Sequence, residues 1–183
     1  GCHEPRMSSP PVSARVPMAL GRPASPIEPG ALGGRPFSFV EVVQPVLDRQ
    51  CVRCHGGEKT DGDVDLTGAA HQGFTKSYWT LCQGPNQWRE MVGQPERMAE
   101  SLVPRYYQRN QIQVTPLGGK FGALGSRLIR LLRDGHEDVQ LDADELERLA
   151  TWIDLNAIFY GVYLPEDQAR QLAGQQVPMP EIE

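Results

Sequence analysis

The sequence is poor in cysteine, in positive charge and in long apolar runs. No stretch approaches the roughly 18 consecutive apolar residues of a membrane-spanning helix, which excludes a membrane span. Four cysteines are too few for a disulfide scaffold among 183 residues. The net charge of −5 argues against a general nucleic-acid binder, so we expect no nucleic-acid partner. A signal peptide with a basic start is also missing, so we expect that it was removed or that the chain begins within a longer protein.

The first 36 residues differ from the rest because they hold half of the prolines. Eight of the sixteen prolines fall in this segment. Proline removes a backbone donor and favours extended conformations. We therefore expect three parts: an extended Pro-rich arm without helix or sheet over residues 1–36, a main domain over 37–164, and a C-terminal tail over 165–183.

The main domain begins with a helical pattern. Ser38 and Glu41 have the spacing of a capping box, and an apolar stripe at helical spacing then runs to about Arg49. Pro45 lies inside this stripe and predicts a kink or a late helix start.

A second capping box, Asp142 with Glu145, precedes a helical pattern that runs to about Asn156. Glycine and proline between the helical segments predict long loops. The fold class is therefore mainly α. Further short helices are predicted over 74–92, 126–132 and 164–175, and long loops over 56–73 and 93–125.

The segment Cys51-Val52-Arg53-Cys54-His55 has the c-type haem attachment pattern. Two thiols three residues apart can form thioethers to the two vinyl groups of one porphyrin. The histidine that follows then lies beneath the iron as an axial ligand. The pattern predicts one haem c bound covalently at Cys51 and Cys54, with His55 on the iron.

Two other readings of this cysteine pair have less support. A structural zinc site needs four ligands, and no second Cys or His pair at short spacing accompanies the motif. A thioredoxin-type redox pair needs a βαβ context, and no strand pattern is visible. A zinc- or disulfide-stabilised interaction module nevertheless remains a third alternative.

Cys2 and His3 resemble the end of a second attachment motif. The cysteine expected three residues before Cys2 would lie before Gly1. Either the motif continues in a longer chain, or Cys2 holds a haem through a single thioether. We therefore expect a second haem c at Cys2, with His3 on its iron.

The four histidines match the axial positions of two bis-imidazole irons. His136 follows a predicted helix end with a glycine turn, where it can reach over a pocket as the second ligand of the haem at His55. His71 lies in the loop after the motif and could complete the other iron, within the chain or from a neighbouring copy. Methionine is the other common axial ligand, which keeps Met91 and Met98 open.

Three further features have less specific readings. The stretch Asp61–Asp65 resembles the start of a calcium loop but lacks its later ligands, so we expect a solvated turn. Cys82 fits a buried small apolar residue or a free thiol. Trp152, Tyr160 and Tyr163 are expected to pack around the haem edge.

A family resemblance covers Phe37 to Tyr163. It rests on five segments: Val43 to His55, Asp65 to Gly68, Phe121 to Leu128, Gly135-His136, and Leu149 to Asn156. These segments resemble the c-type cytochrome region of hydrazine synthase alpha-subunit-like multihaem proteins, a planctomycete-type group. The resemblance implies a mainly helical, cytochrome c-like domain.

The same resemblance implies one haem ligated by His55 and His136. Cys2 to Arg6 is also similar to the tail of the preceding haem motif in that group. The family's full-length subunit has a β-propeller and a catalytic haem with a tyrosine ligand. This chain has no propeller, and Met7 stands where the tyrosine would be wanted.

The expected function is electron transfer, because an iron with two imidazoles has no open position for a substrate. We expect redox partner proteins and a homo-oligomer, in which haems of successive copies could form a chain or filament. Haem c attachment occurs outside the cytoplasm, so the expected location is periplasmic or extracellular. The alternative is a fragment of a hydrazine synthase-like haem oxidoreductase, an enzyme with its catalytic haem at Cys2 and His3.

Overall fold

The structure, a computed structural model, describes Met7 and residues 18–57, 60–82, 101–105 and 121–179, apart from the side chain of Asp63. Within these residues the fold is mostly helical, with one small antiparallel hairpin. The α-helices are α1 Phe39–Val42, α2 Gln44–Gln50, α3 Lys76–Cys82, α4 Gly122–Gly125, α5 Arg127–Asp134, α6 Ala143–Asp154 and α7 Pro165–Leu172. The hairpin pairs β1 Ala70–His71 with β2 Phe74–Thr75, and 3₁₀ turns cover Met18–Gly21 and Asp61–Asp63.

The predicted kink near the start of the domain is confirmed. The Ser38 hydroxyl accepts a hydrogen bond from the Glu41 N–H and begins α1. The helix breaks at Val43, and Pro45 lies in the first turn of α2, where its missing N–H costs no helical hydrogen bond. The two short helices together bury one apolar stripe, which contains Phe39, Val42, Val43, Val46 and Leu47.

Two later helices also begin and end where the sequence predicts. Ser126 caps α5 by accepting from the Ile129 N–H, and the helix ends at Gly135. Asp142 and Glu145 form both halves of a capping box at the start of α6. These ends depend on side-chain hydrogen bonds within a few residues, which is why sequence spacing locates them.

Aromatic rings form the centre of the core. Phe39 is fully buried, with ring centroids 5.3 Å from Tyr78, 5.1 Å from Trp152 and 5.3 Å from Phe159. The Tyr78 hydroxyl donates to the Ala157 carbonyl at 2.9 Å, so its polar end is satisfied inside the core. This cluster joins α1, α3 and α6 with the chain that follows α6.

At the start of the domain, the backbone before α1 is hydrogen-bonded to the backbone that follows α6, and we call this contact the crossing. The Phe39 N–H donates to the Phe159 carbonyl at 3.1 Å, and Ser38 forms an isolated bridge with Tyr160. Gln171 of α7 is buried and donates through Nε2 to the Phe37 carbonyl at 3.0 Å. Its Oε1 accepts from the Gly161 N–H at 3.2 Å, so α7 fastens both chains of the crossing.

Two features differ from the sequence expectations. Strand β1 lies in a segment expected to be loop and β2 in one expected to be helix, and the turn residues Gln72 and Gly73 have φ of 48° and 81°. The described part of the N-terminal arm is exposed and without helix or strand over 22–30, but it also contains the 3₁₀ turn Met18–Gly21. Among the helices that the structure describes, none is long and apolar enough to cross a bilayer.

Gly161 offers a test of the crossing. A Cβ at this position would lie 2.5 Å from both the backbone N and the backbone O of Phe37. We expect Gly161→Ala to lower the free energy of unfolding by about 2 kcal/mol, because the two backbones must move apart. Urea denaturation followed by circular dichroism measures the change.

Gly30→Ala is the matched control, since a Cβ there meets nothing within 4 Å. Its midpoint should stay close to that of the unmodified chain. Equal midpoints for the two variants would contradict a tight crossing at Gly161.

Candidate functional site

The residues of the Cys-x-x-Cys-His motif form a turn that continues α2. The Cys54 and His55 N–H groups both donate to the Cys51 carbonyl, at 3.1 and 2.9 Å. The turn holds the two thiols and the imidazole on one compact piece of backbone. Cys51 and Cys54 are both half-buried and take part in no disulfide.

The loop after the motif folds back and fixes the His55 ring. The Asp61 N–H donates to the Cys54 carbonyl at 3.1 Å, and the Leu66 N–H donates to the His55 carbonyl at 2.7 Å. His55 Nδ1 lies 3.1 Å from the Asp61 carbonyl oxygen. A carbonyl only accepts, so Nδ1 carries the proton and donates, which leaves the Nε2 lone pair available to a metal.

His136 lies on the short connection between α5 and α6. The residues on either side of it have left-handed backbones, with φ of 96° at Gly135 and 48° at Glu137. The Val139 N–H donates to the His136 carbonyl at 3.1 Å and closes this turn. The turn holds the imidazole facing the motif, where the sequence placed the second axial ligand.

The two imidazoles form the geometric centre of the site. The ring centroids of His55 and His136 are 5.9 Å apart, and their planes are inclined by 12°. They line a cavity of about 480 Å³ together with Cys51 and Cys54, a volume typical of cofactor pockets. The other lining residues are Gln50, Arg53, Asp61, Glu137, Asp138 and Val139.

This spacing fits a metal bound between the two rings. Metal–imidazole bonds are about 2 Å long. A ring nitrogen lies about 1.1 Å from the centre of a five-membered ring with bonds of about 1.33 Å. Two rings whose nitrogens point at one metal from opposite sides have centroids about 6.2 Å apart. The stacked rings of His55 and His136 have nearly this centroid separation, 5.9 Å.

Haem iron suits this donor set, because the porphyrin supplies four nitrogens and the protein needs to add only two. In the part of the chain that the structure describes, no group of three or more His, Cys, Asp or Glu side chains is arranged to hold a metal ion directly. The residues present thus fit a haem with two axial histidines and two thiols beside it.

A buried carboxylate joins the motif helix to the helix that follows His136. Glu145 of α6 is buried, and it accepts hydrogen bonds from Arg49 Nε at 3.0 Å and from Gln50 Nε2 at 2.9 and 3.2 Å. The same carboxylate accepts from the Asp142 N–H at 3.1 Å in the capping box. Gln50 directly precedes Cys51, so this cluster sets where the motif lies relative to the start of α6.

The pKa of the Cys51 thiol is shifted in the opposite direction from that of a redox-active cysteine. Its burial, and next the charge of Glu145, raise the pKa of Cys51 to about 11. Cysteines of thioredoxin-type pairs have lowered pKa values, because the thiolate is the nucleophile. The environment therefore keeps Cys51 as a neutral thiol and disfavours the thioredoxin reading.

His71 lies away from this cavity. It is in β1, where its ring packs edge-on against Trp79 with centroids 5.2 Å apart, and it is absent from the cavity lining. Cys2 and His3 lie outside the described residues, as do Met91 and Met98. The structure thus brings together four of the seven site residues expected from the sequence: Cys51, Cys54, His55 and His136.

The three aromatic residues expected around the haem edge do not line the cavity. Trp152 is fully buried in the aromatic core, with its Nε1 donating to the Ile158 carbonyl. Tyr160 packs on Phe159, and Tyr163 is 98% exposed. Trp152 and Tyr160 therefore pack as expected, but against the aromatic core, whereas Tyr163 is exposed.

The remaining two expectations concern Asp61–Asp65 and Cys82. Asp61 is exposed, as a solvated turn requires, but Asp65 accepts hydrogen bonds from Thr67, two residues later, and from Lys76 at the start of α3. Partial burial opposes its ionisation, and these bonds outweigh it, so the pKa of Asp65 is lowered. Cys82 is buried and free of any disulfide, and burial raises its pKa to about 12.

Removing the Glu145 carboxylate should weaken the fold around the site. We expect Glu145→Ala to lower the free energy of unfolding by about 2–3 kcal/mol, because its carboxylate is the acceptor of part-buried hydrogen bonds from Gln50 and the Asp142 N–H. Denaturant melts of the chain measure this. Glu147→Ala, on the exposed face of the same helix, is the matched control and should change stability by less than about 0.5 kcal/mol. A similar loss in both variants would contradict the structural role of Glu145.

No family model, curated protein or solved structure matches this chain. The proposed function therefore depends on the geometry of His55, His136 and the two thiols. The resemblance to the hydrazine synthase alpha-subunit-like group stays an expectation from the sequence.

Proposed function

We propose that this protein is a c-type cytochrome that transfers electrons. One haem c would be attached through Cys51 and Cys54 and ligated by His55 and His136. The observation that carries the proposal is the pair of nearly parallel imidazoles 5.9 Å apart, in a cavity that both thiols also line. Sequence spacing supplies the Cys-x-x-Cys-His unit, and the fold supplies its histidine partner from a residue 81 positions further along, counted from His55 to His136.

The bound haem would supply one-electron chemistry. The residues of this chain would hold it in place. His55 is oriented by its Nδ1–H bond to the Asp61 carbonyl, which also makes its Nε2 a better donor. His136 would supply the second protein ligand, which would leave no position open for a substrate. These features favour electron transfer over catalysis.

A second haem c at Cys2, with His3 and His71 as its ligands, belongs to the same proposal. The half-buried His71 ring, which packs against Trp79, is compatible with this role. Among the hydrogen bonds and ring pairs of the described residues, none joins His71 to Cys51, Cys54, His55 or His136. A homo-oligomer or filament would bring the haems of successive copies together, with redox proteins as partners. Covalent attachment of haem implies a periplasmic or extracellular location.

The first test of the proposal is the mass of the mature chain. Matured in a host that attaches haem c, the chain should gain the mass of one haem at Cys51 and Cys54, and of a second if Cys2 is used. Cys51→Ala with Cys54→Ala should lose one haem, and Cys2→Ala should lose the other. A mature chain with no added haem and no Soret band would contradict the proposal.

The role of His136 has its own test. We expect His136→Ala to convert a low-spin, six-coordinate iron into a high-spin form that binds carbon monoxide, because one axial position becomes open. Asp134→Ala, two residues earlier and exposed, is the control and should keep the low-spin spectrum. Carbon monoxide binding by the unmodified chain would instead favour the alternative, a fragment of a haem oxidoreductase with an open iron. Visible spectra before and after addition of the gas decide between them.

A further inference from the structure

We propose that the buried carboxylate of Glu145 lowers the reduction potential of the haem c held by Cys51, Cys54, His55 and His136. This inference rests on the proposed function. Glu145 lies outside the cavity lining and is a positioning residue, which acts through Gln50 and through its own charge.

Glu145 is the one charged side chain in the buried set of the residues that the structure describes. Its carboxylate lies 2.9 Å from the side chain of Gln50, a cavity residue and the neighbour of Cys51. A buried charge is screened far less by water and salt than an exposed one. Its field therefore extends into the pocket.

The positive partner of Glu145 cancels only part of this field. The side chain of Arg49 is 60% exposed, whereas that of Glu145 is 4% exposed, so solvent screens the guanidinium more strongly than the carboxylate. The pKa of the Cys51 thiol, raised by burial and next by Glu145, supports the same conclusion at the first residue of the motif. The other charged residues that line the cavity, Arg53, Asp61, Glu137 and Asp138, are all exposed.

The Glu145 carboxylate would affect the reduction potential because reduction of the haem iron changes the charge of the pocket. One electron, supplied by a redox partner protein, converts ferric to ferrous iron and removes one positive charge from the pocket. A fixed negative charge nearby stabilises the ferric form. Coulomb's law gives a roughly ten-fold effect on this equilibrium for a unit charge acting over about 10 Å at an effective dielectric constant of about 20.

The experiment is a potentiometric titration of the mature, haem-loaded chain, followed by its visible spectrum. Glu145→Gln should favour the reduced form by roughly ten-fold, a rise of about 59 mV for a one-electron couple. Glu145→Asp keeps the charge and should stay within about a third of that shift. Glu147→Gln makes the same charge change on an exposed position of α6 and should shift the potential by less than half as much as Glu145→Gln.

A second variant covers the case in which Glu145→Gln does not fold. Arg49→Gln removes the exposed partner and leaves the carboxylate uncompensated, so the potential should fall. Arg148→Gln, which breaks the Asp144 pair on the same helix, should lower it by less.

The outcomes separate the two proposals. Equal shifts in Glu145→Gln and Glu147→Gln, or no shift in Glu145→Gln or Arg49→Gln, would overturn the role of Glu145 while the haem spectrum leaves the cytochrome assignment standing. A mature chain without haem would overturn both.

Discussion

The buried carboxylate of Glu145 is the interaction on which the site depends. A carboxylate out of water is costly unless donors surround it. Here the donors come from the last turn of α2, through Arg49 and Gln50, and from the N-terminus of α6, through the Asp142 N–H. They can all reach it only when the end of α2 lies beside the start of α6. Cys51 follows the first of these elements and His136 precedes the second, so this requirement holds the two histidines on facing sides of one cavity.

The residues that stabilise the fold are largely separate from those that line the cavity. Phe39, Tyr78, Trp152 and Phe159 form the aromatic core, and none of them lines the cavity. The connection between the two regions is the α1–α2 pair, which buries Phe39 at one end and carries Cys51 beyond the other. We expect a pocket attached in this way to a closely packed core to change little in shape when its charge changes. The proposed electron transfer would benefit from such a small structural change.

Much of the fold could be predicted from the sequence because its signals are local. Helix caps at Ser38, Ser126 and Asp142 depend on hydrogen bonds that span three residues, and each is present. The hairpin was missed because strands of two residues show no alternation, and its turn is Gln-Gly where the common signal is Asn-Gly. The capping role of Glu145 was predicted, but its bonds to Arg49 and Gln50 were not. They join residues 95 and 96 positions apart, and no spacing rule covers such contacts.

The loop after the motif shows how a site can depend on residues with no chemistry of their own. A Cβ at Gly56 would lie 2.9 Å from the Val52 carbonyl oxygen and 2.7 Å from a Val52 methyl carbon. The chain can therefore turn back directly after His55 only with glycine at this position. Gly62, with φ of 66°, then lets the 3₁₀ turn form. That turn places the Asp61 carbonyl against His55 Nδ1. A stretch that reads as a solvated, Asp- and Gly-rich loop thus determines which imidazole nitrogen is available to a metal. The orientation of His55 in the cavity therefore depends on this loop as well as on the motif itself.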